Sequence, residues 1–216
     1  PNPPSTPPPT NSTFSADFNN GNSSMIAPVG PGAHYGLAFP VFSNGQVFAS
    51  PEANYERDSI AQAPGVYAVD QYAEADLITT GGVNAYAGVN VRSDVTSPDY
   101  FWYRFETIPG GQMRIASLFH SPQWGVQGAA ECYDNQARVS AGNNRIRLEI
   151  RGNTLIGYIN SVAVIRCQDN TNRQLPQSGN PAFFLAGADA FIDNFTAGSI
   201  STAAPGNLPA LQQMNV

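Results

Sequence analysis

The chain has 216 residues, 42% of them hydrophobic and only 12% charged, with a formal net charge of -6, whereas an average soluble protein is roughly a quarter charged. Its ten basic residues are all arginine and form no cluster. That excludes the cationic patch that displaces phosphate counterions, and nucleic acid as a partner with it. No apolar run approaches the ~20 residues of a membrane helix, so membrane insertion is not expected.

In chain order, "PNPPSTPPPTNS" (1–12) is a proline-rich arm that forms neither helix nor central strand and should lie in polyproline II. Because the chain opens on Pro1 rather than Met, it reads as a processed product or a fragment. The body, residues 13–200, alternates short apolar runs with Gly, Pro, Asn and Ser, and its length suits one undivided all-β domain. In "VYAVDQYAEADLIT", Val66, Val69, Ala73 and Leu77 can mark a helical face. The second half nevertheless reads as strand, because neighbouring turn signals recur at strand spacing.

"YAGVNVRS" places Ala87, Val89 and Val91 on one face and Gly88, Asn90 and Arg92 on the other. "DYFWYRFETI" separates Phe101, Tyr103 and Phe105 from Tyr100, Trp102, Arg104 and Glu106. "GGQMRIASLFH" follows the turn at Pro109-Gly110-Gly111. In "NNRIRLEIRGNTLIGYINS" (143–161), Ile146, Leu148 and Ile150 turn inward, and Arg145, Arg147, Glu149 and Arg151 face water. A Gly-Asn turn joins its two strands, and Asn160-Ser161 makes a second turn. The tail, "STAAPGNLPALQQMNV" (201–216), returns to turn formers with a short apolar end. Strands at this spacing predict an all-β, two-sheet antiparallel sandwich with extended N- and C-terminal arms.

Each arm buries too little on its own to offset ordering costs of ~1–2 kcal/mol per residue, so an ordered arm needs a neighbouring subunit or its own domain to hold it. Cys132 and Cys167 fit one disulfide closing a loop of about 35 residues and contributing on the order of 3–4 kcal/mol, with two free buried thiols as the alternative. Asn-x-Ser/Thr sites at Asn11, Asn22 and Asn194, together with the low charge, favour an oxidising setting, extracellular or on a virion surface.

The order of these pieces resembles the concanavalin A-like, laminin G-like jelly-roll modules of secreted and phage proteins. The resemblance runs from "FSADFNNGN" (14–22) through "QYAEADL", "AGVNVR", "SPDYFWYRFE" and "NRIRLEIRGNTLIGYINSVAVIRCQDN" to "FIDNFTAGS" (191–199). Ser161 stands where the family's second turn carries glycine. The resemblance implies two stacked antiparallel sheets with adjacent termini. Such modules bind sugars, bind proteins, hydrolyse glycans or fill space in an assembly, so the fold does not name one function.

Glycan hydrolysis needs two carboxylates across a cleft, which family glucanases supply from a Glu-x-Asp-x-x-Glu strand. Glu74 and Asp76 in "AEADLIT" share a face, but no third carboxylate follows. His34 and His120 are isolated, which argues against a His-built zinc site. A sugar site asks for an aromatic platform beside planar polar groups. Tyr100, Trp102, Arg104 and Glu106 share one strand face, with Asn90 and Arg92 on its neighbour and Trp124 at an edge; the same aromatics suit a core or a subunit contact. Asp17 and Asp193 meet if the terminal strands pair, offering carboxylates to a structural calcium. The sequence thus leads to a non-catalytic structural or decorating subunit of a surface assembly, its arms contacting neighbouring copies or other subunits. A lectin-like glycan-binding module comes second and a glycan hydrolase third.

Overall fold

A computed structural model describes residues 12–19, 24–25, 39–50, 59–80, 85–95, 100–121, 125–171, 178–187, 189–201 and 206–215. Outside them lie the proline-rich residues 1–11, Asn11, Asn22, His34 and Trp124. The described residues form strands β1 (Thr13–Ala16), β2 (Val41–Ser43), β3 (Gln46–Phe48), β4 (Ser59–Gln62), β5 (Gln71–Thr79), β6 (Tyr86–Asp94), β7 (Tyr100–Thr107) and β8 (Gln112–Ser121). They continue as β9 (Gly125–Arg138), β10 (Gly142–Arg151), β11 (Thr154–Ile159), β12 (Val162–Gln168), β13 (Asn180–Ala186), β14 (Ala190–Ser199) and β15 (Leu211–Gln213). The stretch from Gln71 to Thr79 is strand, which settles its ambiguity. Among the described residues no helix is long and apolar enough to cross a membrane.

Two sheets stack. The first runs β15-β12-β11-β10-β5-β14-β3-β2, with β1 also paired to β14, and the second runs β4-β13-β6-β7-β8-β9. Neighbours are antiparallel, except that β15 lies parallel to β12. Period-two alternation does what the sequence predicts: Ala87, Val89, Val91, Phe101, Tyr103, Phe105, Ile146, Leu148 and Ile150 all enter one core between the sheets. One glycine lets that core close. A Cβ on Gly157 would lie 2.6 Å from the Phe105 ring, so the β11 backbone itself is the surface on which Phe105 rests.

Covalent and polar ties cross between the layers. Cys132 of β9 is joined to Cys167 of β12. The Tyr103 hydroxyl donates to Asp169 at 2.6 Å, and the other Asp169 oxygen accepts from Thr171 at 2.7 and 3.0 Å. Arg92 provides another tie. A bulge between Val91 and Asp94 and a φ of 46° at Arg92 redirect its side chain. It donates to the Val69 carbonyl at 2.8 Å, just before β5, and to the Gly152 carbonyl at 2.7 Å, in the turn between β10 and β11 of the opposite layer.

The second hairpin turn is type I′, since Asn160 and Ser161 have φ of 48° and 68°, positive at both central positions. The C-terminal tail is not free. β15 pairs with β12, Met214 enters the core, and Asn215 bridges to Glu131. Of the two holders the sequence allows for this arm, its own domain takes residues 211–215.

Gly157→Ala is expected to cost about 1–3 kcal/mol, because overpacking against Phe105 has no slack to absorb it. Ser161→Gly is expected to stabilise by about 0.5–1 kcal/mol, since glycine carries little penalty in the left-handed region. Urea unfolding of both variants checks the two opposite signs.

Candidate functional site: the outer face of the second sheet

The residues that face away from the core on β7 divide this surface. On one side, Ile60, Val95, Ala182 and Phe184 form a small separate apolar cluster. On the other side β8 and β9 carry charge. Arg104 joins the two halves: its guanidinium lies 3.4 Å from the Phe184 ring centroid and 4.5 Å from that of Trp102. Tyr100 stacks on Trp102 with centroids 5.4 Å apart and planes 7° off parallel. The Arg104 Nε donates to Asn90 Oδ1 at 3.2 Å, and the Asn90 amide nitrogen is buried without a partner.

These residues do converge, as the sequence predicts, but beneath the surface. Tyr100 and Trp102 are each only 5% exposed, and Asn90, Arg104 and Glu106 are buried too. Arg92 does not join them, because the β6 bulge sends its side chain across the sandwich.

The accessible part of this face lies one and two strands further on. Glu106 accepts from Arg114 at 2.7 Å, and Arg114 also reaches Glu131 at 2.6 Å. Burial works to lower the Arg114 pKa, but the adjacent carboxylates, Glu106 foremost, outweigh it and raise it. Register places Tyr133 of β9 opposite Arg114, so their side chains share a face at neighbour distance. Tyr133 is 53% exposed, and the Glu131 and Arg114 side chains are 45% and 27% exposed. Sequence reasoning missed Arg114, Glu131 and Tyr133. They belong to separate strands, and only the β7-β8-β9 register unites them.

The outer face of the first sheet is a self-neutralising ladder. Glu74 accepts from Arg145 at 2.7 Å and Arg147 at 3.0 Å, and Asp76 accepts from Arg145 at 3.2 Å and the Asn194 amide at 2.8 Å. The two carboxylates weighed for hydrolysis are therefore both held in ion pairs. Glu149, expected to face water, is buried between Arg147 and Arg151. Arg145, Asn194 and Thr196 also line a recess of about 390 Å³ with Ser15, Asp17 and Ser24.

The terminal strands pair, with Ala16 opposite Phe195, and this brings Asp17 near Asp193. Burial, and then the charges of Asp76 and Asp17, raise the Asp193 pKa against the lowering effects of the Asn194 N–H and Arg145. A calcium cage takes 6–8 oxygen ligands. Among the described residues no group of three or more His, Cys, Asp or Glu side chains is placed to hold a metal ion.

No protein-family model and no curated protein sequence matches the chain. Solved structures do match. A β-glucanase of Bacillus licheniformis superposes with TM-score 0.52 at 9% identity, over 88% of this chain and 98% of that one. A β-1,3-1,4-glucanase (lichenase) from a mouse hindgut metagenome gives 0.55 at 9% identity, over 87% and 99%. The transglycosylase Crh5 gives 0.54 at 10% identity, over 92% and 90%. The expectation of a non-catalytic module is corrected by these matches: the sandwich it rests on is shared, nearly end to end, with enzymes.

Asp193→Asn is expected to stabilise the protein at neutral pH. A carboxyl whose folded pKa is raised contributes fully below its unfolded pKa, and that contribution is lost as pH rises through the folded value. The gap between variant and wild type should therefore close on acidification below the ordinary carboxylate range, as read by unfolding at a series of pH values. The chain has the concanavalin A-like jelly-roll fold.

Proposed function

We propose that the chain is a glycan-recognising surface module that engages carbohydrate through the exposed strip of β8 and β9. The observation that carries this reading is Tyr133 standing opposite an arginine held between two carboxylates. An open ring offers a platform for the CH face of a pyranose. Beside it, Arg114 and Glu131 present planar donors and acceptors at the edge where sugar hydroxyls lie. Their positions are fixed from below by Glu106, which is itself buried, so little side-chain freedom is lost on binding. The solved structures that share the fold include a β-glucanase, a lichenase and a transglycosylase, which supports a glycan as the ligand class. The inter-sheet disulfide supports an oxidising location, extracellular or on a virion surface.

The reading of the chain as a structural subunit drew on both arms. The described C-terminal residues are engaged within their own domain, so that reading keeps the N-terminal arm and the low charge as its support.

A glycan array probed with the full chain tests the proposal. Signal on one or more glycans is expected, reduced about tenfold or more in Tyr133→Ala, since loss of a stacking platform removes on the order of 1 kcal/mol or more. Unchanged signal in that variant, with its fold intact, refutes the strip as the site. Reducing-end release assayed on the same glycans shows whether engagement leads to cleavage.

A further inference from the structure

We infer that the C-terminal segment is a clasp that gates reduction of the inter-sheet disulfide. Cys132 and Cys167 are both buried, and a thiolate must reach a sulfur along the S–S axis to break that bond. The last residues lie across the seam where those sulfurs meet. Gln212 of β15 is in register with Cys167, and Asn215 exchanges two hydrogen bonds, of 2.8 and 2.9 Å, with Glu131, the residue before Cys132. Met214, between them, is buried in the core cluster that also contains both cysteines.

The attachment is short and lies at a sheet edge. Beyond the three-residue ladder with β12 and the bridge to Glu131, Met214 N–H donates to the Gln168 carbonyl at 3.2 Å, Asn170 donates to Gln213 at 2.6 Å, Gln213 donates to Gln168 at 3.3 Å, and Leu211 stays exposed. Releasing the segment leaves the other pairings of both cysteine strands in place: β12 keeps β11 and β9 keeps β8. Peripheral elements with few buried contacts open at a fraction of the global unfolding free energy. Opening this one bares the disulfide while both cysteine strands remain folded.

An external dithiol then completes the exchange. Its thiolate attacks one cysteine sulfur, the S–S bond breaks, and the other cysteine leaves as a thiolate that takes up a proton. The second thiol of the reagent resolves the mixed disulfide. The protein gains two thiols, and the dithiol is oxidised to its cyclic disulfide.

Dithiothreitol reduction of the full chain, followed by thiol labelling over a urea series below the unfolding transition, tests the inference. The expected rate depends far less on urea than global unfolding does, because little surface is exposed when a clasp lifts. Met214→Asp should accelerate reduction about tenfold or more. Ile192→Ala, which removes core volume on the far side of the same sheet, should leave the rate nearly unchanged. Reduction of the unmodified chain with the full urea slope of global unfolding overturns the clasp, whatever the variants do. So does an acceleration in Ile192→Ala equal to that in Met214→Asp.

Discussion

A strand has two faces, and β7 must commit one of them to the core. Phe101, Tyr103 and Phe105 enter the space between the sheets, where Phe105 rests on the bare backbone of Gly157. The opposite alternation is then forced: Tyr100, Trp102, Arg104 and Glu106 must leave the core together. A row containing two aromatics, a cation and an anion has to be made compatible with its own burial, and the rest of the outer face follows from how that is done. The cation is held between aromatic rings, the anion is given to Arg114, and Arg114 is in turn shared with Glu131. Each step carries charge outward by one strand until it reaches solvent.

The first sheet meets the same demand differently. Its outward-facing residues set the acids of β5 against the arginines of β10, with Glu149 between two of those arginines, so Glu74, Asp76, Arg145, Arg147, Glu149 and Arg151 satisfy one another locally. These half-buried pairs form a continuous network across the face. Only near the chain's terminal strands does the balance tip toward negative charge, where Asp17, Asp76 and Asp193 approach one another. Burial first, and then the charges of Asp76 and Asp17, raise the Asp193 pKa there.

Much of this architecture is legible in the sequence, because alternation is a local property. The facing of β6, β7 and β10, the Asn160-Ser161 turn and the cysteine pair all follow from residues within a few positions of each other or from simple cysteine arithmetic. What was not legible depends on register and on bulges. Arg92 belongs by alternation with Asn90, but a single left-handed residue sends it to the opposite sheet. Trp102 and Tyr100 look like an open platform in the strand pattern, yet only tertiary packing decides that they are covered. Arg114, Glu131 and Tyr133 form no motif, since no spacing along the chain predicts three residues that meet only across β8 and β9. The tail reads as a loose end because a three-residue parallel strand leaves almost no periodic trace.

Glu131 belongs to two systems at once. Its carboxylate holds Arg114 at the open edge of the aromatic–ionic face, and its peptide group holds Asn215 at the end of the chain. Any event that displaces this one residue is therefore felt by both. On the readings proposed above, a guest that rearranged the Arg114 pair would shift how firmly Asn215 is seated. By thermodynamic reciprocity, the seating of Asn215 would bias how readily the guest is received. Surface recognition and the security of the cross-link would then share a single amino acid.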